Sequence, residues 1–292
     1  MIQTWRVTST QNIKLQLDAS SLDIITRQLP EGYYSTFRTF DRCTRVLGLT
    51  AHLQRLYEPV PTPEVSVSLL RRQLRALLEA YRPPFGAGAR RGETADEARV
   101  RAIMTKHGQA YITIEPLKKL PSEIYEKGVH VETTELQREH PRLKSTTFIG
   151  RSDSEKRHIA REGIFEALLM KNGKILEGMT SNFFYVVRRD ATSYSKGIPL
   201  YICTARDDIL LGITRNTVIE LARGRGLEVK YQALKRDQLM VVSEAFITSS
   251  SRGIVPVIQI DDVTIGQGRR GPITKQLSEA YDTYVIEKAE RI

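Results

Sequence analysis

Residues 166–186 read EALLMKNGKILEGMTSNFFYV. An apolar run from Phe165 to Met170 meets Asn172-Gly173, the dipeptide that suits the two positive-φ positions of a type I′ turn. Lys174 to Leu176 return from that turn. Asn182 to Val187 form another apolar run, rich in aromatic and β-branched residues, and read as a strand. The segment predicts a hairpin followed by a strand. A polar cluster, Glu177-Gly178-Met179-Thr180-Ser181-Asn182, interrupts the apolar sequence on the return strand. Polar groups carried into a sheet need partners there, which makes the cluster a candidate site.

Two segments downstream have related chemistry. Gly212-Ile213-Thr214-Arg215 opens a helix that carries Val218, Ile219, Leu221 and Ala222 and closes near Gly226. Free amides and the positive end of the helix dipole favour a phosphate at such a start. Thr248-Ser249-Ser250-Ser251 is a hydroxyl-rich turn between an apolar strand, Ala245 to Thr248, and a second one, Val255 to Ile260. A closing helix runs from Ile273 to Ile286. Upstream, a strand falls near Gly128 to Glu132, and Ser152-x-x-Glu155 is a capping box for a helix that ends at Gly163.

The first third mixes both element types. Ser21 to Leu29 reads as a helix stopped by Pro30, and Tyr33 to Asp41 alternates as a strand. Thr50 is the expected N-cap of a helix carrying His52, Leu53, Arg55 and Leu56. Thr62-Pro63 is the expected start of a longer helix with Leu70, Leu74, Leu77, Leu78 and Tyr81 on one stripe. Residues 83–97 read as loop, and Val100 to Thr105 and Ala110 to Ile114 as strands. The sequence PLKKLP at 116–121 breaks the pattern. The expected division is a small domain over 1–117, a linker over 118–124 and a larger domain over 125–292.

Composition excludes several classes. The 292 residues suggest two domains, and 40% hydrophobic with 27% charged residues is ordinary globular usage. No stretch of about 18 apolar residues suggests a spanning helix, and the first ten residues lack an apolar signal core. Cys43 and Cys203 make neither a disulfide framework nor a metal-spaced pair, so a reducing cytoplasm is the expectation. The net charge of +10 is spread in pairs such as Arg188-Arg189 rather than in tracts. That pattern reads as a solvated basic surface, not a nucleic-acid face. The five histidines show no HxxxH or HxH spacing, so no metal site is expected. Gly266-Gln-Gly268-Arg-Arg-Gly271 matches a dinucleotide-binding pattern, but Pro272 follows it and only 21 residues remain after Gly271, too few for a second βαβ unit. It reads as a loop before the last helix.

Taken together, the blocks TFRTFDRCTRVLGLTAHLQRLYEP, PRLKSTTFI, EALLMKNGKILEGMTSNFFYV, LLGITRNTVIELA and SEAFITSSSRGIVPVIQIDD resemble the fold-type IV, class IV aminotransferases that use pyridoxal 5′-phosphate. They stand in family order and spacing from about residue 30 to residue 284. The resemblance implies a mixed α/β (α+β) fold of two domains, with the cofactor at their interface. Branched-chain aminotransferases, D-amino-acid transaminases and aminodeoxychorismate lyases share the family. It implies a transaminase acting on an amino acid or amine and a 2-oxo acid, with a lyase of the aminodeoxychorismate type as the alternative within the family. A basic, non-catalytic binding protein is the alternative outside it. A homodimer is implied, with no nucleic-acid or membrane partner.

The resemblance also assigns residues. Lys144, in PRLKS, matches the Schiff-base lysine, and Glu177, 33 residues later, matches the glutamate at the pyridine nitrogen. Arg55 matches the phosphate-binding arginine. Ile213 through its amide, Thr214, Ser249 and Ser250 match the other phosphate contacts. Tyr34 and Arg38 match positions that line the site from the small domain. The sequence departs from branched-chain enzymes where they bind substrate. Phe148-Ile149 replace an Asn-Tyr pair, and Arg99-Val-Arg101-Ala replaces Tyr-x-Arg-Pro. Arg99, Arg101 and Arg252 are therefore the candidates for the substrate carboxylate.

Overall fold

The computed structural model describes residues 1–17, 20–81, 97–188 and 200–292. The loop expected over 83–97 lies outside them except for Glu97, as do Arg90, Arg91 and Arg189. The described residues form two compact units. One comprises Met1–Lys119, Leu143–Arg151 and Val285–Ile292; the other comprises Leu120–Arg142 and Ser152–Tyr284. A division at a single linker does not capture the two returns of the chain to the first unit. Both returns carry backbone pairing: Ser145 bridges Tyr33, and Glu290–Arg291 pair with Arg45–Val46.

The first unit is built on an antiparallel sheet. Its strands are β1 (Gln3–Val7), β2 (Asn12–Leu15), β3 (Gly32–Arg38), β4 (Ala98–Thr105) and β5 (Ala110–Pro116), in the order β2-β1-β5-β4-β3. Alternation gives the sheet two different faces. Trp5, Val7, Phe37, Val100, Ala102, Ile112 and Ile114 join one core with the leucines of two helices, α2 (Leu49–Tyr57) and α3 (Val67–Tyr81). The registers Tyr34↔Ile103, Thr36↔Arg101 and Arg38↔Arg99 put the polar residues on the other face. Near it lie α1 (Leu22–Gln28), capped by Ser21, and the short helix Thr147–Arg151.

Three local expectations fail for identifiable reasons. Gly48, at φ 65°, is the N-cap of α2, two positions before Thr50. Helix α3 starts at Val67 rather than at Thr62-Pro63, because the Ser66 hydroxyl accepts from Leu69 N at 3.2 Å. Strand β3 stops at Arg38, short of Asp41, where Asp41, Arg42 and Cys43 all take positive φ. The Glu97 carboxylate offsets that strain by accepting from Arg42 N at 2.8 Å and Cys43 N at 3.2 Å.

The second unit holds a ten-stranded sheet. Its longer strands are β6 (Val129–Thr134), β7 (Glu166–Lys171), β8 (Lys174–Gly178), β9 (Asn182–Arg188), β10 (Leu200–Thr204), β11 (Glu228–Tyr231), β12 (Val242–Ser249) and β13 (Gly253–Ile260). The order runs β11-β10-β9-β12-β13-β6-β7-β8, and β8 also pairs β9 through Glu177↔Asn182. Six strands thus close on themselves. Val131, Leu168, Ile175, Phe183, Tyr185, Ile247 and Val257 belong to the core cluster of this unit. Four helices complete it: α4 (Ser122–Lys127), α5 (Asp153–Arg161), α6 (Ile213–Gly224) and α7 (Pro272–Lys288). Ser152 precedes α5 as expected but makes no side-chain cap, since the helix Thr147–Arg151 leads directly into it. Among the described residues no helix is long and apolar enough to cross a membrane.

The GxGxxG stretch is a helix approach. Gly266 and Gly268 take positive φ, and a Cβ on Gly271 would sit 2.0 Å from the Glu244 side chain. That carboxylate accepts from Ile273 N at 3.0 Å and Thr274 N at 2.7 Å, so it caps α7.

Candidate active site

In the first unit the site begins at the free edge of β3. Tyr34 N donates to Lys144 O at 2.9 Å, and Thr146 N donates to Gly32 O at 2.9 Å. The lysine segment therefore lies on the edge strand as a short added strand. Gly32 must lack a side chain, because a Cβ there would come 2.1 Å from Met104 O. The pairing carries the Lys144 ammonium to 4.8 Å above the Tyr34 ring, and the Arg101 guanidinium lies 4.7 Å from the same ring.

Behind Tyr34 runs a buried chain of polar groups. Arg55 Nη2 donates to Ser35 Oγ at 2.9 Å, and Ser35 Oγ lies 2.8 Å from His52 Nδ1. Arginine can only donate, so the serine oxygen accepts from Arg55. Burial, then the charges of Arg55 and Lys144, hold His52 well below its usual 6.5. Burial also lowers Arg55, to about 10. No carboxylate pairs with Arg55 among the described residues, and its Nε is buried without a hydrogen-bond partner. A buried unpaired cation is costly, so this guanidinium is placed to receive an anion.

In the second unit Glu177 is 1% exposed. Its Oε1 accepts from Arg138 Nε at 2.9 Å; its Oε2 accepts from Asn182 Nδ2 and from Leu210 N, both at 3.0 Å. Asn182 also donates to Leu210 O at 2.8 Å. A Cβ on Gly212 would sit 2.1 Å from Asn182 Oδ1, so only glycine lets α6 begin there. Gly212 gives that helix no side-chain cap. Its first amides and the nearly buried Thr214 face this end, with Thr214 Oγ1 3.4 Å from Ser250 Oγ. Thr248 Oγ1 is buried without a partner. The result is an uncapped helix start beside a hydroxyl turn, the arrangement that takes a phosphate.

The candidates thus fall into sets within each unit: Tyr34, Arg55 and Lys144 in the first; Glu177, Ile213, Thr214, Ser249 and Ser250 in the second. The candidate carboxylate binders are all engaged by acids. Arg99 lies 2.7 Å from Glu115, Arg101 2.8 Å from Asp23, and Arg252 2.7 Å from Glu166. Arg38 stacks on Phe40 at 4.7 Å. Sequence reading missed Arg138, Ser35 and Glu166 as site residues. Arg138 carries only one faint signal, its position six residues before Lys144.

Residues 32–260 match the family model for class IV amino-transferases. The D-alanine aminotransferase of Bacillus licheniformis is 27% identical over 90% of this chain and 91% of its own. The branched-chain-amino-acid aminotransferase of Pseudomonas aeruginosa is 27% identical over 89% and 85%. The structure of a fold IV-transaminase from Curtobacterium pusillum covers 98% of this chain and 99% of its own. Its TM-score is 0.72 at 19% identity, a likeness of fold. The PLP-bound form of a hypothetical aminotransferase from Mycobacterium tuberculosis gives 0.72 at 21%, over 98% and 99%. The family match spans β3 to the end of β13, and the chain belongs to the class IV aminotransferases, enzymes that transfer amino groups with pyridoxal 5′-phosphate.

Proposed function

We propose that this transaminase binds pyridoxal 5′-phosphate through Lys144, Arg55, Glu177, Ile213, Thr214, Ser249 and Ser250. It moves an amino group between an amino acid or amine and a 2-oxo acid. One observation carries the reading: Lys144 and Arg55 sit against consecutive residues of β3, Lys144 over the Tyr34 ring and Arg55 on the Ser35 hydroxyl, and Arg55 has no carboxylate partner among the described residues. An amine beside an unpaired guanidinium suits a ligand that is both a carbonyl compound and an anion, as a phosphorylated aldehyde is. Within the second unit, the uncapped start of α6 and the Ser249-Ser250 turn offer neutral donors that suit a phosphate.

When bound, the cofactor supplies a protonated pyridine ring that withdraws electrons from substrate Cα. Glu177 would hold a proton on the ring nitrogen, and Arg138 and Asn182 hold Glu177. Lys144 Nζ would hold the cofactor and would serve as the base and acid that moves a proton at substrate Cα. The Tyr34 ring steadies that ammonium. The resemblance supports a homodimer, and two buried free cysteines are in keeping with a cytoplasmic protein.

Lys144→Ala tests the assignment. Borohydride should fix the cofactor to the parent chain, seen as added mass on the peptide holding Lys144, and should fix none to the variant. The variant should also lose turnover in a panel of L- and D-amino acids and (R)- and (S)-1-phenylethylamine with pyruvate and 2-oxoglutarate. A variant that still fixes cofactor and turns over shows that another lysine is the anchor.

A further inference from the structure

Arg252 is held through its Nε and Nη2. Its Nη2 donates to Glu166 Oε2 and to Thr180 Oγ1, both at 2.7 Å, and its Nε donates to Ser249 Oγ at 3.1 Å. Its guanidinium lies 5.3 Å from the Phe165 ring, and its backbone oxygen accepts from Tyr125 Oη at 2.9 Å. Glu166, whose side chain is 2% exposed, spends its other oxygen on Thr180, accepting from N at 2.5 Å and from Oγ1 at 2.8 Å. A guanidinium so engaged is not arranged to collect a substrate carboxylate.

These contacts tie together the start of β7, the turn between β8 and β9, and the turn between β12 and β13. Glu177 lies just before the second, and Ser249 and Ser250 lie at the third. The tie is tight, since a Cβ on Gly178 would come 2.9 Å from Glu166 Oε1 and 2.2 Å from Ser181 Oγ. On the other side, Asn182 links Glu177 to Leu210 and abuts Gly212, and Thr214 reaches Ser250. The contacts form a ring: Glu177, Asn182, Gly212, Thr214, Ser250, Ser249, Arg252, Glu166, Gly178 and back to Glu177.

We infer that Arg252, paired with Glu166, is a positioning residue that fixes the Ser249-Ser250 turn at a set distance from Glu177. Resting on the proposed cofactor site, this means that Arg252 matches the spacing of the phosphate donors to the carboxylate at the ring nitrogen. It touches neither substrate nor cofactor. A flexible turn would have to be ordered on binding, and the clamp removes that cost beforehand.

The test compares two aldehydes that share a ring and differ in the phosphate. Apo forms of the parent, Arg252→Ala, Arg252→Lys and Glu166→Gln are titrated with pyridoxal 5′-phosphate and with pyridoxal. Arg252→Ala should weaken the phosphorylated aldehyde about tenfold or more and leave pyridoxal within twofold. Arg252→Lys should not rescue it, because an ammonium cannot reproduce a planar fork spanning Glu166, Thr180 and Ser249. It also reads the same quantity should the alanine variant not fold. Glu166→Gln should shift the ratio in the same direction. Parental affinities in all three variants overturn the inference. So does a variant with parental cofactor affinity whose KM rises for amino acids but not for 1-phenylethylamine, since that pattern marks a substrate-carboxylate binder. A parent that binds neither aldehyde overturns the proposed function itself, and this inference with it.

Discussion

Glu177 is a buried charge, and its partners decide what it can do. Arg138 balances the carboxylate while Asn182 and Leu210 N fix its plane, so it presents a set geometry to whatever lies beyond. Glu177→Gln keeps the size and removes the charge. Cofactor should still bind to Lys144, while the half-reaction with an amino donor slows by orders of magnitude, because an unprotonated pyridine withdraws electrons poorly. Stopped-flow decay of the visible band within about twofold of the parent, well under the ~1.4 kcal/mol of a tenfold change, would remove Glu177 from the mechanism. Its candidacy was legible because the whole polar cluster is contiguous. Arg138 was not, since a contact across 39 residues leaves no local mark. His52 supports a second prediction. The unfolded chain protonates this histidine below about pH 6.5, whereas burial beside Arg55 and Lys144 lowers its folded pKa. Its contribution to stability is therefore complete above pH 6.5 and declines as pH falls from there. His52→Gln should flatten the fall of melting temperature between about pH 6.5 and 5, and an unchanged slope would clear His52 of any part in acid sensitivity.

Elements succeed or fail as site builders through their ends. Helix α6 starts at a glycine with no side-chain cap, which leaves its first amides to a ligand. The sequence showed this start because Gly-Ile-Thr-Arg is a local signal. It misplaced the starts of α2 and α3, where Thr50 and Thr62-Pro63 are good caps by residue type. There, a left-handed Gly48 and a Ser66 hydroxyl bond are what decide. It also could not show that Lys144 lies along the edge of β3, since the pairing Tyr33↔Ser145 joins segments far apart in the chain. The proposed phosphate contacts predict that Thr214→Ala and Arg55→Ala each weaken cofactor binding. Loss of a charge-assisted contact costs about 1.5–3 kcal/mol, so Arg55→Ala should be the larger effect. Reconstitution of the apo forms measures both, and parental affinity in the two variants would exclude these contacts.

For the whole chain, the charge and the fold tell different stories. A net charge of +10 invites an anionic polymer as partner, yet the candidate arginines of the site spend themselves internally on Glu115, Asp23 and Glu166. Arg55 does lack a carboxylate among the described residues, and its buried place beside Ser35 suits a small anion rather than a polymer. The chain also folds as two units, and the proposed cofactor residues come from both: Arg55 and Lys144 from one, Glu177 and Thr214 from the other. A ligand stabilises whatever it contacts in the folded state by RT ln(1 + [L]/Kd), about 2.7 kcal/mol at a hundredfold excess over Kd. For units of this size that is a rise of roughly 5 °C or more in melting temperature. Because two units need not unfold in one step, calorimetry of the apo protein should be resolved into its component transitions. Pyridoxal 5′-phosphate should raise every component in the parent. In Lys144→Ala the rise should shrink in all of them, since the covalent anchor is gone while the phosphate and ring-nitrogen contacts remain. A rise confined to one component would mean that the residues of the other unit do not hold the cofactor, and the assignment of either Lys144 and Arg55 or Glu177 and Thr214 would fall with it.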